Sequence, residues 1–288
     1  MGTSSSNGGP SGKSSLLPSW YNDTSDGQGQ QVINSVPSNE SEEGGQQGDA
    51  QAPQTVVIPK KSGDWKDAKG AFTRFTKNTG GANIRKAAKN YVRTLGGSRG
   101  ATRSASKGIS TGVGLASFLG VISSSSGGGL DQTLTQLGLT TFIGRSSEEI
   151  LAKIADTIAP AGATNDEAIA RDSVIATLDQ LYSRILESGE DITALESLTP
   201  DMIKEAVTDY VSIYIFKKWI YELGLAIEKN TVTEKQAIEM ETEIKDFINA
   251  EVKLSLKNRN IKEFSLNDKS NQQIIENIFQ MAYSTLDQ

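Results

Sequence analysis

The sequence predicts an all-α protein: a helical bundle domain preceded by a long disordered N-terminal tail rich in Gly and Ser. Three observations carry that reading. Helix starts are written out in capping residues, since Ser146-x-x-Glu149, Thr164-x-x-Glu167, Thr233-x-x-Gln236 and Ser270-x-x-Gln273 all fit the capping box. Thr199-Pro200 adds another, with proline at the first helical position, where its missing N–H costs nothing. Beyond residue 64 apolar side chains recur at a spacing of three and four, which is the helical period. Before residue 63 that pattern is absent.

Residues 1–62 hold 9 of the 28 glycines, 12 serines and only eleven residues from Val, Ile, Leu, Met, Phe, Trp and Tyr. Such a stretch cannot bury enough apolar surface to offset an ordering entropy of about 1–2 kcal/mol per residue, so it reads as a tail. It lacks the basic start and apolar run of a secretory signal. No run reaches the roughly 18 apolar residues a membrane helix needs, the nearest being Gly108 to Ile122.

From Trp65 to Lys107 eleven Lys or Arg face one acid, Asp67, a net of +10, whereas residues 111–288 sum to −12. This basic stretch reads as helices over Trp65–Asn78 and Ala82–Leu95 and a third starting near Ser98. Ala71, Phe72 and Phe75, then Ile84, Ala88, Tyr91 and Leu95, mark their apolar faces, and Gly80-Gly81 and Gly96-Gly97 mark the breaks. Residues 108–145 are Gly-rich, with a loop over Ser123–Gly129. Each helical glycine there costs about 1 kcal/mol relative to Ala, so a helix survives only by close packing.

After Arg145 the helices are 147–159, 165–188, 200–228, 234–256 and 271–286; only Ile261–Leu266 and Val56–Ile58 read as strand-like. The helix from Pro200 is apolar on most sides, through Ile203, Val207, Tyr210, Val211, Tyr214, Phe216, Trp219, Ile220, Leu223 and Ile227, and belongs at the centre. Ile169, Val174, Ile175, Leu178, Leu181 and Ile185 of one neighbour, and Ile238, Ile244, Phe247, Ile248, Val252 and Leu254 of another, are its expected packing partners. The chain thus divides into a tail over 1–62, a basic helical and Gly-rich segment over 63–145 and a helical core domain over 146–288.

The chain contains no histidine and no cysteine. Disulfides, Cys or His zinc sites, His-ligated haem, Ser-His-Asp and Cys-His catalysis and histidine pH switching are thereby excluded. The missing cysteine fits a reducing compartment. Gly8-Gly9-Pro10-Ser11-Gly12-Lys13-Ser14 only imitates a phosphate loop, because Asn7 replaces the first Gly and no strand precedes it. Glu148-Glu149 and the set Glu239, Glu241 and Glu243 read as solvated helix surface, since neighbours at i and i+2 point to different faces. No cofactor is implied.

Two features remain. Met1-Gly2-Thr3-Ser4-Ser5-Ser6 formally matches an N-myristoylation pattern, but one acyl chain binds membranes only marginally and no basic patch adjoins it. The small second residue instead favours removal of Met1, which exposes a glycine α-amine. With a pKa of about 7.7–8.0, against about 10.4 for lysine, roughly a tenth or more is nucleophilic at neutral pH, which makes Gly2 a conjugation handle. The second feature is the set Arg74, Lys77, Arg85, Lys86, Lys89, Arg93, Arg99, Arg103 and Lys107, interleaved with Trp65, Phe72, Phe75 and Tyr91. These cations fit a nucleic-acid backbone, an acidic surface of this protein or of a partner, or plain solvent; the pI near 5.0 favours protein docking over nucleic acid.

The start Met-Gly-Thr-Ser-Ser-Ser-Asn-Gly-Gly-Pro with Leu16-Leu17-Pro18-Ser19-Trp20 resembles the QatB family of the bacterial Qat anti-phage defence system. So do Lys86-Ala-Ala-Lys89-Asn-Tyr91-Val-Arg93, Leu137-Gly138-Leu139, Ile143-Gly144-Arg145 and Tyr214-Ile215-Phe216. The most specific interior match is Ile158-Ala159-Pro160-x-Gly162-Ala163-Thr164 followed by Asp166-Glu167-Ala168-Ile169-Ala170-Arg171. The resemblance implies a non-enzymatic defence component of the bacterial cytoplasm, acting beside a QatA-like ATPase, a QueC-like enzyme (QatC) and a TatD-like nuclease (QatD). QueC-like relatives in defence operons are associated with joining a deazaguanine to a partner's N-terminal glycine, which maps onto Gly2. Thr3, Ser4, Ser5, Ser6, Gly8, Gly9 and Pro10 would then be the small-residue segment threaded into that enzyme. A flexible linker of this length has an r.m.s. reach of about 45 Å, enough to present the terminus while the bundle is docked elsewhere.

Overall fold

The centre of the molecule is the helix Pro200–Leu223, whose Val207, Tyr210, Val211, Tyr214, Ile215 and Trp219 are all sealed from solvent. In the computed structural model the described residues are 64–77, 81–124, 128–224, 233–257 and 268–288. The tail and both strand-like stretches, Val56–Ile58 and Ile261–Leu266, lie outside them. Among the described residues there are ten α-helices, two 3-10 turns and no strand. The helices are α1 (Trp65–Lys77), α2 (Gly81–Thr94), α3 (Gly97–Ser104), α4 (Ser106–Ile122), α5 (Gly129–Gln136), α6 (Ser147–Ile158), α7 (Asn165–Glu187), α8 (Pro200–Leu223), α9 (Glu234–Leu256) and α10 (Asp268–Leu286).

Local chemistry explains most boundaries. The Thr164 and Thr233 hydroxyls accept from the N–H groups of Glu167 and Gln236, and those two side chains accept in return from the cap N–H groups, so both capping boxes are complete. Ser146 and Thr199 cap α6 and α8 by accepting from Glu149 and Met202. The fourth expected box is a correction: α10 begins at Asp268, which puts Ser270 inside the helix, where its backbone is already helical and cannot serve as the cap.

α8 packs against α7, α4, α9 and α10, while α1 and α2 form a hairpin that reaches it through aromatic rings. Tyr91 of α2 stacks on Trp219 at 5.6 Å with planes 4° apart, and Phe72 of α1 lies 6.0 Å from the same indole. Burying Phe72 and Phe75 is worth about 1.5–3 kcal/mol each, which with the Tyr91 stack fixes α1 and α2 to the bundle. Three residues expected in the core are exposed instead: Ile175 at 42%, Ile238 at 58% and Leu254 at 61%. The buried stripe of α9 runs through Met240, Ile244, Ile248 and Val252, and positions two residues outside either end of it, 238 and 254, fall on the opposite side of the helix.

α4 answers the problem posed by its glycines. Gly108 and Gly112 are buried where Tyr214 and Tyr210 of α8 press against the helix backbone; a Cβ would stand 2.6 Å from Tyr214 Cζ or 2.9 Å from Tyr210 Cε1. The Tyr210 hydroxyl donates to the Gly108 carbonyl at 2.8 Å. Close packing of large rings therefore offsets the poor helix propensity. No single helix among the described residues is long and apolar enough to cross a membrane; α3 and α4 would pass only as a pair, and they meet at a bend of 66°.

Candidate docking surface

The structure sorts the nine cations singled out by sequence into two groups. Arg85 reaches the buried Glu251 carboxylate of α9 at 2.7 Å and lies over the Phe247 ring at 5.7 Å. Lys89 donates to the Gln288 carbonyl at 2.8 Å, Arg93 pairs with Asp287 at 3.4 Å, and Lys107 pairs with Glu167 at 2.8 Å. These four cations tie α2 and α4 to the acidic remainder of the chain. Arg74, Lys77, Lys86, Arg99 and Arg103 have no carboxylate partner among the described residues, and all five are exposed. Among the described residues Arg103 donates to the Arg99 carbonyl, one turn back on α3.

On α1 the free cations have company that motif reading passed over. Lys66 and Lys69 are exposed, share the solvent face with Arg74 and Lys77, and likewise lack an ion pair among the described residues. The signal was present in the spacing 66, 69, 74 and 77, which covers one side of a helix while Ala68, Ala71, Phe72 and Phe75 cover the other. Gly2 and the segment Thr3, Ser4, Ser5, Ser6, Gly8, Gly9 and Pro10 lie outside the described residues.

The stretch 158–171 forms a charged corner between α6 and α7. Glu167 closes the Thr164 cap and also accepts from Lys107; these hydrogen bonds, led by the one from Lys107, pull its pKa down from 4.5 to about 2. Its neighbour Asp166 accepts from Lys218 of α8 at 2.7 Å. Arg171 pairs with Asp156 and donates to the Ala159 carbonyl at 3.0 Å, which satisfies the end of α6. Gly162 belongs to the same device, since any Cβ there would strike the Glu167 carboxylate. The motif thus holds the corner shut with side chains from α4, α6, α7 and α8.

Lys218 also bridges to Glu222 at 3.3 Å, and its side chain is only 4% exposed. Tyr91, Tyr214 and Tyr283 lie within the field of its partner Glu222, and their hydroxyls, like Glu222 Oε2 and Trp219 Nε1, are buried without a hydrogen-bond partner among the described residues. Burial, reinforced by the Glu222 charge, holds the Tyr91 phenol well above its ordinary pKa; burial does the same for Tyr214 and Tyr283. This is a largely buried polar centre that reaches solvent at Asp166. Sequence pointed to the apolar character of α8 and missed Lys218, although a lysine amid Trp219, Ile215 and Tyr214 was a visible sign of an internal countercharge.

Elsewhere the surface dips into an open groove between α8 and α9, lined by Asp201, Lys204, Glu205, Thr208, Lys253 and Lys257. Two of its five charged side chains are met at home, Glu205 by Arg184 at 2.9 Å and Lys253 by Asp209 at 3.4 Å, while Asp201, Lys204 and Lys257 have no ion pair among the described residues. The outward side of α1 gathers four exposed cations, Lys66, Lys69, Arg74 and Lys77, with no ion pair among the described residues.

No curated protein and no solved structure matched the chain. A family model did, that of the Qat anti-phage system associated protein QatB, over residues 96–286. The matched stretch runs from Gly96, next to the start of α3, to Leu286, where α10 ends, and includes the charged corner. It therefore takes in the whole described bundle except the α1–α2 hairpin, and on that extent the chain belongs to the QatB family of Qat anti-phage system proteins.

Proposed function

We propose that this chain is a non-enzymatic adaptor of the Qat system in the bacterial cytoplasm. In this reading the bundle docks a protein partner, the QatA-like ATPase, while the leading end is a substrate of the QueC-like enzyme QatC, which joins a deazaguanine to the Gly2 amine. Membership of the defence family supports the setting. The chemistry of the leader supports the modification: an α-amine of low pKa on Gly2, followed by Thr3, Ser4, Ser5, Ser6, Gly8, Gly9 and Pro10, with no bulky side chain to obstruct an active site. The absence of histidine and cysteine from the whole sequence supports the non-enzymatic part. Intact-mass analysis after co-expression with the QueC-like enzyme tests the reading; a mass addition confined to the Gly2 peptide is expected, and its absence with active enzyme defeats it.

A second reading is a nucleic-acid-binding sensor subunit that uses the basic segment 65–107. One observation favours it, the exposure of Arg74, Lys77, Lys86, Arg99 and Arg103 without carboxylate partners. Duplex binding that falls steeply with salt and is lost on replacing these five would establish it. The net charge of −6 weighs the other way.

A further inference from the structure

The small-residue leader creates a difficulty for any enzyme acting on Gly2. Residues 2–10 contain no aromatic, no arginine and no large aliphatic side chain, the types that anchor interfaces, the nearest being Leu16, Leu17 and Trp20, so the segment beside the amine offers little affinity by itself. A second contact on the folded body would supply it.

The outward face of α1 is suited to that role. Lys66, Lys69, Arg74 and Lys77 line the solvent side of α1, a helix about 20 Å long, and none has an ion-pair partner among the described residues. The face is rigidly held, because Phe72 and Phe75 behind it are fully buried and Phe72 meets Trp219. It contrasts with α2, whose Arg85, Lys89 and Arg93 are already bound by Glu251, the Gln288 carbonyl and Asp287. Trp65, 40% exposed, adds an apolar contact at the start of the same helix. Beyond residue 107 the chain carries −12, a field that opposes a long polyphosphate more strongly than a small acidic patch on a protein.

α1 is the first described helix after the leader, with Gly2 and Lys66 joined by a continuous chain. A partner held on α1 meets the Gly2 of the same chain, so the second encounter is intramolecular. We propose that the outward face of α1 docks an acidic surface of the enzyme that modifies Gly2, as a contact separate from the terminus. The inference rests on the modification reading above.

The test compares the full-length chain with Lys66→Glu/Lys69→Glu/Arg74→Glu/Lys77→Glu, with the neutral counterpart carrying Gln at the same four positions, and with a synthetic peptide of residues 1–20. Modification kinetics and equilibrium binding of the enzyme are both measured, at low and high salt, and circular dichroism establishes that the variants are folded. The expected result is a KM raised at least about tenfold in the Glu variant with kcat unchanged, an intermediate Gln variant, and a peptide that behaves like the Glu variant. Binding to the wild type should weaken steeply with salt. Equal KM and equal affinity for wild type and Glu variant overturn the inference, as does α1-dependent binding of duplex DNA without binding of the enzyme. If the enzyme binds through α1 yet adds no mass to Gly2, the docking face stands and the modification reading falls.

Discussion

Tyr214 occupies the space that a side chain on Gly108 would need, its Cζ lying 2.6 Å from where a Cβ would stand. The contact explains why a glycine sits inside α4 at a position the helix propensity scale disfavours. It also lets the Tyr210 hydroxyl reach the Gly108 carbonyl one helical turn away along α8. The same helix supplies its own control in Gly120, around which a Cβ would meet nothing within 4 Å.

Gly108→Ala is therefore expected to destabilise the fold by about 1–3 kcal/mol through overpacking, despite the better helix propensity of alanine. Gly120→Ala should stabilise by about 0.5–1 kcal/mol. Urea unfolding of the two variants checks the pair; changes of the same sign would contradict the packing account.

The buried ammonium of Lys218 has two countercharges, Asp166 and Glu222. Asp166→Asn and Glu222→Gln, made singly, each leave one carboxylate in place and should cost about 1 kcal/mol. Together they strand the charge, and the double variant should lose about 3–5 kcal/mol, more than the singles combined. A double-mutant cycle measures the coupling, and strict additivity would remove the triad from the account.

Glu167 makes the charged corner sensitive to acid. Its pKa in the folded chain is about 2, below the ordinary 4.5, so the folded state favours the ionised form. The resulting stabilisation is complete above the unfolded pKa and is lost as pH falls through the window between those two values. The stability difference between wild type and Glu167→Gln, read by denaturant melts at stepped pH, should be constant near neutrality and shrink below about pH 4.5.

Phenols with and without partners should respond differently. Tyr210→Phe removes the bond to the Gly108 carbonyl and should cost about 1 kcal/mol. Tyr91→Phe and Tyr283→Phe remove hydroxyls that have no partner among the described residues and should be neutral or stabilising. A large loss at Tyr91 would mean that its hydroxyl is satisfied, through a bridging water or by Glu222 itself.

What the sequence determined by itself was local. Capping pairs such as Thr164 with Glu167 and Thr233 with Gln236 lie three residues apart, so the starts of α7 and α9 could be read without knowing anything distant. The period of Phe72, Phe75 and their neighbours placed the inner face of α1 for the same reason. The outcome for each charge was decided by tertiary structure. Whether Arg85 is free or held by Glu251, and whether Lys218 meets Asp166, depends on which helices become neighbours across 166 and 52 positions of chain. An ion pair forms only within a few ångströms, and no spacing along a helix encodes that distance. The helical glycines of α4 fall between the two cases: their sequence stated the need for close packing, and only the fold showed that Tyr210 and Tyr214 meet it.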